Sequence, residues 1–122
     1  MSNRNTQIYN HFVFTPKFRR PVLTGPVARH FDQIAREVCA ELHCEIIALA
    51  IQPDHVHLLV QMPPTLTASQ LAQSCKGRSS RLLRQAHPHL LALPALWGHR
   101  YFVRSVGGGR RAVQKYIDAQ GI

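Results

Sequence analysis

The stretch "CEIIALAIQPDHVHLLVQM", residues 44–62, decides the fold. Two apolar runs, 44–52 and 55–62, flank Pro53 and Asp54, a tight-turn dipeptide, so the segment reads as a strand, a turn and a second strand. Alternate side chains of an extended chain point to opposite faces. Val56, Leu58 and Val60 therefore leave the second strand on one side, and His55 and His57 on the other. The apolar set suits a core. Two imidazoles side by side on a strand do not, because a buried histidine ordinarily finds a single partner.

Working outward, "QIYNHFVF" (7–14) alternates and is rich in aromatic and β-branched residues, the pattern of a strand. "TPKFRRPVLTG" leads into a helix with Pro26 in its opening turn. Across 27–42, Val27, Phe31, Ile34, Ala35, Val38, Cys39 and Leu42 fall at helical spacing and form an amphipathic stripe. After the loop "PPTLT", a second helix is expected from Ala68 to Gln85, with Leu71, Cys75, Leu82 and Ala86 on its buried side. "HPHLLALPALWGHR" is irregular, and "YFVRSV" (101–106) reads as a fourth strand. Gly107, Gly108 and Gly109 break that strand, and "RRAVQKYIDAQ" (110–120) forms a short last helix. The order β-α-β-β-α-β, with one further helix, predicts an α+β fold: a ferredoxin-like split βαβ sandwich with the long helices on one sheet face. The whole of 1–122 reads as one domain without repeats.

No apolar stretch approaches the roughly 20 residues of a membrane-spanning helix, and "MSNRNTQIYN" has no apolar signal core. Cys39, Cys44 and Cys75 form no CxxC pair, which predicts reduced core thiols and a cytoplasmic protein. Charge says more. Fifteen Lys and Arg against six acids give a formal charge of +9. The bases are segregated: residues 64–117 carry nine and no acid, whereas 31–63 carry five acids and one base. Such segregation points to a polyanion, nucleic acid first and an acidic membrane surface second, against a merely solvated basic surface.

Neutral imidazoles two apart on a strand can share a divalent metal, but two ligands make an incomplete site. The last helix offers more. Tyr116 and Gln120 are four apart and share one helical face. A tyrosine hydroxyl is a nucleophile once helped by a metal or cation, and the Gln120 amide oxygen can complete a His-His-Gln set. A structural explanation competes at every point: an incidental HxH, Tyr116 in the buried stripe with Val113 and Ile117, and Gln120 as solvated surface. "HPH" (87–89) has the same spacing but is interrupted by Pro88, so His87 and His89 read as loop residues. Asp32, Glu37 and Glu41 share one helix and make no three-carboxylate centre. "VGGGRR" lacks the Lys-Ser/Thr of a nucleotide cradle, and no Ser or Cys sits in a nucleophile elbow. In "CKGRSSRLLRQ" (75–85), Arg78, Arg81 and Arg84 step along one side of the second helix, with Lys76, Ser79 and Ser80 beside them. These groups suit phosphate contacts, and Arg104 on the fourth strand joins them as a DNA-binding candidate.

Together, "HFVFTPKFRRPVL", "PDHVHLLV", "KGRSSRLL", "LWGHRYFVRSVG" and "YIDAQ", in this order, resemble the single-tyrosine HUH transposases of the insertion-sequence 200/605 family. The resemblance implies a small homodimer that acts on single-stranded DNA and recognises hairpins at the ends of an insertion sequence. By it, His55, His57 and Gln120 bind Mg2+ or Mn2+. Tyr116 attacks the scissile phosphate to give a 5′-phosphotyrosine and a free 3′-hydroxyl. The tyrosine helix exchanges between subunits about a hinge at Gly107, Gly108 and Gly109. Replication initiators of the wider HUH group typically carry lysine where this chain has Gln120, which favours transposition. Two other readings are a domesticated relative that processes chromosomal hairpin repeats and a non-catalytic single-strand or hairpin binder. Where phosphate contacts dominate, affinity for a single-stranded oligonucleotide falls linearly on a log–log plot against salt, with a slope of about −0.7 per phosphate neutralised. Fluorescence anisotropy over a salt series checks this, and a flat line removes the polyanion reading.

Overall fold

Whether a strand has one dry face or two determines what packs on it, and in this chain the central strands have two. The computed structural model describes residues 8–122; Gln7, at the start of the first expected strand, lies outside the described residues. The elements run β1 (Ile8–Phe14), α1 (Gly25–Glu41), β2 (Glu45–Gln52), β3 (His55–Met62), α2 (Ala68–Ala86), β4 (Phe102–Val106) and α3 (Gly109–Gln120). The sheet is antiparallel in the order β2-β3-β1-β4. This interleaving is the ferredoxin-like split βαβ arrangement, with β1 and β3 at the centre and β2 and β4 at the edges.

Local chemistry sets the helix limits. Thr24 is extended and Pro26 occupies the first turn of α1, where its missing N–H costs nothing. Thr67 and Gln70 form a capping box on α2: the Gln70 amide N–H donates to Thr67 Oγ1 at 3.1 Å, and the Thr67 N–H donates to Gln70 Oε1 at 2.9 Å. The helix stops before Pro88, which disfavours a helical residue ahead of it. The glycine run also ends where expected, except that α3 already includes Gly109. Gly108 and Gly109 carry φ of 91° and 77°, left-handed values that side chains disfavour.

The main core lies between the sheet and the two long helices. Phe12, Phe14, Val56, Leu58, Val60 and Met62 from the strands meet Phe31, Ile34, Val38 and Cys39 of α1 and Leu71, Cys75 and Leu83 of α2. The three cysteines are buried and free. The opposite face is dry over a smaller area, where Tyr9, Leu59 and Val106 pack against Val113 of α3, with Tyr116 and Ile117 alongside. The two long helices thus share one face, as the alternation of β3 predicts, and α3 takes the other. Fully burying one side chain such as Val113 contributes about 1.5–3 kcal/mol, so α3 is held by far less apolar surface than α1 or α2.

Two expectations for α2 are corrected. Its buried line is Leu71, Cys75, Ser79 and Leu83; Leu82 is half-buried and Ala86 is exposed. The line runs in steps of four through a serine, which a hydropathy pattern skips. Ser79, expected among the DNA contacts, is fully buried. Its hydroxyl donates to the Cys75 carbonyl at 2.6 Å and accepts from Trp97 Nε1–H at 2.9 Å. Ser79→Ala leaves the indole N–H of Trp97 unpaired in the core. The expected loss is about 1–3 kcal/mol, read as a lower urea midpoint at unchanged slope, with oligonucleotide affinity of the folded protein unaltered.

Candidate active site

Register brings the polar residues of the α3 side together. Val13 lies opposite His57, and His11 lies opposite both Leu59 and Arg104, so His11, His57 and Arg104 share a face. Onto this face α3 lowers Tyr116. Its hydroxyl is 2.7 Å from His11 Nδ1, and His11 Nε2 is 2.9 Å from His57 Nδ1. The His11 and His57 rings stack at 5.1 Å, and the His55 ring stands nearly perpendicular to His57 at 5.0 Å. Arg104 reaches over Tyr116, its guanidinium carbon 5.9 Å from the ring centroid.

The turn before β3 supplies a second support. Asp54 Oδ1 is 2.8 Å from His55 Nδ1, and Arg19 donates to Asp54 Oδ2 at 3.0 Å. Phe18 and Arg19 have φ of 59° and 51°, uncommon for residues with a Cβ, in the bend that presents the guanidinium. The bond from His55, then that from Arg19, holds the Asp54 carboxyl below its ordinary range. The Asp54 carboxylate accepts from Nδ1–H of His55 and so orients the ring with Nε2 turned away from that bond, the tautomer in which a neutral imidazole offers Nε2 to a metal. His57 likewise has Nδ1 engaged, and its Nε2 makes no hydrogen bond among the described residues. Burial, then the charge of His55, lowers the His57 pKa. Burial, then the charges of His57 and Arg104, lowers that of His11. Both shifts favour the neutral ring, the form in which imidazole binds metal.

The structure brings together His55, His57, Tyr116 and Arg104. Gln120 is exposed at the end of α3, and its side chain makes no hydrogen bond among the described residues. Nor is any group of three His, Cys, Asp or Glu placed to hold one ion among the described residues. The basic residues of α2 divide rather than forming one row. Arg78 donates two bonds to the Glu41 carboxylate, at 2.8 and 2.7 Å, so an acid from α1 neutralises a face that α2 alone leaves wholly basic. Lys76 donates to the Gly98 carbonyl at 2.9 Å and lies over the Tyr101 ring. Arg84 donates to the Leu93 carbonyl at 3.0 Å. Ser80, Arg81 and Arg84 line a groove of about 630 Å3 with Gly77, Gln85, Pro88 and Leu91. His87, read as a loop residue, caps α2 and lies 3.2 Å from His30.

Sequence reasoning passed over His11, Asp54 and Arg19. A signal existed for the first: strand alternation puts His11 with Tyr9 and Val13, off the face of Phe12 and Phe14. Asp54 stands next to His55 but reads as a turn residue, and nothing local ties Arg19 to it.

The family described as "Transposase IS200 like" matches residues 4–120. The chain belongs to this transposase family. It is 35% identical over 118 residues to the ISDra2 transposase TnpA of Deinococcus radiodurans, covering 93% of this chain and 84% of that one. It is 31% identical over 113 residues to the transposase for insertion sequence element IS200 of Salmonella typhimurium, covering 90% and 74%. A crystal structure of a transposase candidate from D. radiodurans R1 superposes with a TM-score of 0.77 at 33% identity over 93% of this chain and 91% of that one. A REP-associated tyrosine transposase bound to a REP hairpin shares the fold, with a TM-score of 0.68 at 17% identity, 91% of this chain and 62% of that one. The IS200/IS605 resemblance of the sequence motifs and the α+β fold are thereby established. No helix among the described residues is long and apolar enough to cross a membrane.

The neutral rings of this family member have a pH signature. A histidine whose folded pKa lies below its unfolded value of about 6.5 binds fewer protons when folded. Its contribution to stability is complete above that value and is lost as pH falls toward the folded pKa. Asp54, also depressed, contributes above its unfolded value near 3.8 and is lost only at lower pH. Urea midpoints measured in EDTA are expected to fall between about pH 7 and pH 5, with a shallower slope in His11→Phe.

Proposed function

We propose that this transposase cleaves and rejoins single-stranded DNA through a 5′-phosphotyrosine, with Tyr116 as nucleophile and a divalent cation, Mg2+ or Mn2+, on His55 and His57. The observation that carries the reading is the placement of the Tyr116 hydroxyl one imidazole away from a histidine pair whose Nε2 atoms are both unengaged among the described residues. The donor set fits such an ion: two imidazoles, each oriented through Nδ1 by a second residue. Gln120, whose exposed amide is otherwise unbonded among the described residues, would be the third protein donor; its carbonyl oxygen would add a neutral ligand without adding charge. When bound, the ion acts as a Lewis acid on a non-bridging phosphoryl oxygen.

The chain's own residues account for the rest. Tyr116 Oη attacks phosphorus, the P–O3′ bond breaks, and the departing strand keeps a 3′-hydroxyl. That hydroxyl later attacks a phosphotyrosine, so the strand is rejoined without an outside energy source. Arg104, over the Tyr116 ring, offers its guanidinium to the phosphate. Ser80, Arg81 and Arg84, along their groove, give a path for the backbone of DNA with hairpin ends. The protein works as a homodimer, and α3, held by a small apolar patch beyond the left-handed Gly108 and Gly109, is the element suited to exchange between subunits about Gly107–Gly109. Acting on DNA, it would reside in the cytoplasm, at the nucleoid.

The test uses 3′-labelled single-stranded hairpin oligonucleotides from the sequences flanking the gene, with Mn2+ or EDTA, on denaturing protein gels. A protease-sensitive adduct that needs Mn2+ is expected from the wild type. Tyr116→Phe should abolish it while oligonucleotide affinity stays within about twofold, because one hydroxyl contributes little to a phosphate-dominated interface. Binding without any adduct in the wild type identifies the non-catalytic hairpin binder instead. Adducts confined to chromosomal hairpin repeats identify the domesticated relative.

A further inference from the structure

His11 is 2% exposed and uses both ring nitrogens, Nδ1 toward Tyr116 at 2.7 Å and Nε2 toward His57 at 2.9 Å. A neutral imidazole carries one N–H and one lone pair. Its two hydrogen bonds must then run in the same sense. Either Tyr116 donates to His11 and His11 donates to His57, or His57 donates to His11 and His11 donates to Tyr116. No other arrangement satisfies both nitrogens of a neutral ring. The sense is chosen at the end of the chain, on His57, where Nε2 is the one nitrogen outside it. A proton on Nε2 leaves Nδ1 as acceptor and gives the first sense. A lone pair on Nε2 puts the proton on Nδ1 and gives the second.

We propose that His11 is a positioning residue that couples the histidine pair to the nucleophile: a divalent cation on Nε2 of His57 sets the chain so that His11 donates to the phenolic oxygen of Tyr116. This rests on the metal reading above and goes beyond it, since His11 is assigned a role without touching the ion. The consequence for Tyr116 is specific. Its O–H hydrogen is released from His11 and is available to another acceptor, and the oxygen receives a donor that steadies negative charge as it develops there. Without the ion, the hydroxyl is free to donate into the sheet instead, and its lone pairs gain no such partner. Neighbouring geometry keeps the chain from swinging open. His11 stacks on His57 and meets Tyr116 and Phe102 edge-on, at 5.4 and 6.0 Å.

Raman spectroscopy reads this direction. The intensity ratio of the tyrosine ring doublet separates a phenol that donates from one that accepts. Subtracting the Tyr116→Phe spectrum isolates Tyr116 from Tyr9 and Tyr101. Mn2+ binding is followed in parallel by the electron paramagnetic resonance of the free ion. In the wild type the Tyr116 ratio is expected to move to the acceptor value as Mn2+ saturates. His11→Phe weakens Mn2+ by about 10- to 100-fold, the usual effect of losing a partner behind a ligating histidine, and at saturation its ratio stays unmoved. Wild-type protein that binds Mn2+ with no change in the ratio overturns the coupling and leaves the metal reading standing. A shift that persists in saturated His11→Phe overturns the role of His11 alone. Wild-type protein that takes up no Mn2+ overturns the metal reading and the coupling together. The wild-type comparison needs no substitution at His11, so it decides the matter even where His11→Phe fails to fold.

Discussion

The pairing of β1 with β3 governs this molecule, because both faces of that central pair must be buried at once. Phe12 against Leu58 and Phe14 against Val56 commit one face to α1 and α2. The same register puts Tyr9, His11, Leu59 and His57 on the other face. A slip of one residue would turn histidines into the main core and phenylalanines out of it. The second face is only partly apolar. Tyr9, Leu59 and Val106 hold α3 at one end through Val113, and the imidazoles at the other end meet Tyr116. The boundary between grease and polar groups on that face is where the candidate chemistry sits.

Polar groups in such a place need partners, and the fold supplies them in two short chains. One runs Tyr116–His11–His57, the other Arg19–Asp54–His55. Each ends on the Nδ1 of one histidine of the pair and leaves the Nε2 available. The orientation of the pair is thus over-determined from two directions, one buried under α3 and one at the rim. Under the proposed metal reading, this is the arrangement that would keep the two ligands oriented without the ion. It also explains why a nearly buried histidine is tolerated on β1: its two nitrogens are satisfied at hydrogen-bonding distance, so burial does not leave an orphaned polar atom.

The basic surface follows a different logic. A helix that carries Lys76, Arg78, Arg81 and Arg84 and no acid looks like one cationic face. Packing divides it. Arg78 is claimed by Glu41, Lys76 is drawn to the Gly98 carbonyl, and Ser79 is sealed beneath Trp97. What remains toward solvent is the groove of Ser80, Arg81 and Arg84, on the side of the sheet that carries the long helices. The chain's net charge of +9 is therefore distributed over two faces rather than collected on one helix.

The linear sequence by itself determined the order of elements, the helix stripe of Val27 to Cys39, the hairpin at Pro53–Asp54 and the face on which His55 and His57 leave β3. These are local matters of period and turn chemistry, which a chain carries in its own spacing. It also determined the transposase resemblance, because five motifs kept their order. Only the tertiary structure decided that His11 bridges Tyr116 and His57, that Arg19 reaches Asp54 across 35 residues, and that Ser79 belongs to the core. Each depends on which residues the register sets opposite one another. The placement of Gln120 shows the same limit from the other side. Four-residue spacing puts it on the face of Tyr116, but in the fold it stays at the exposed end of α3. Spacing fixes a direction along a helix, whereas contact requires the helix to be docked.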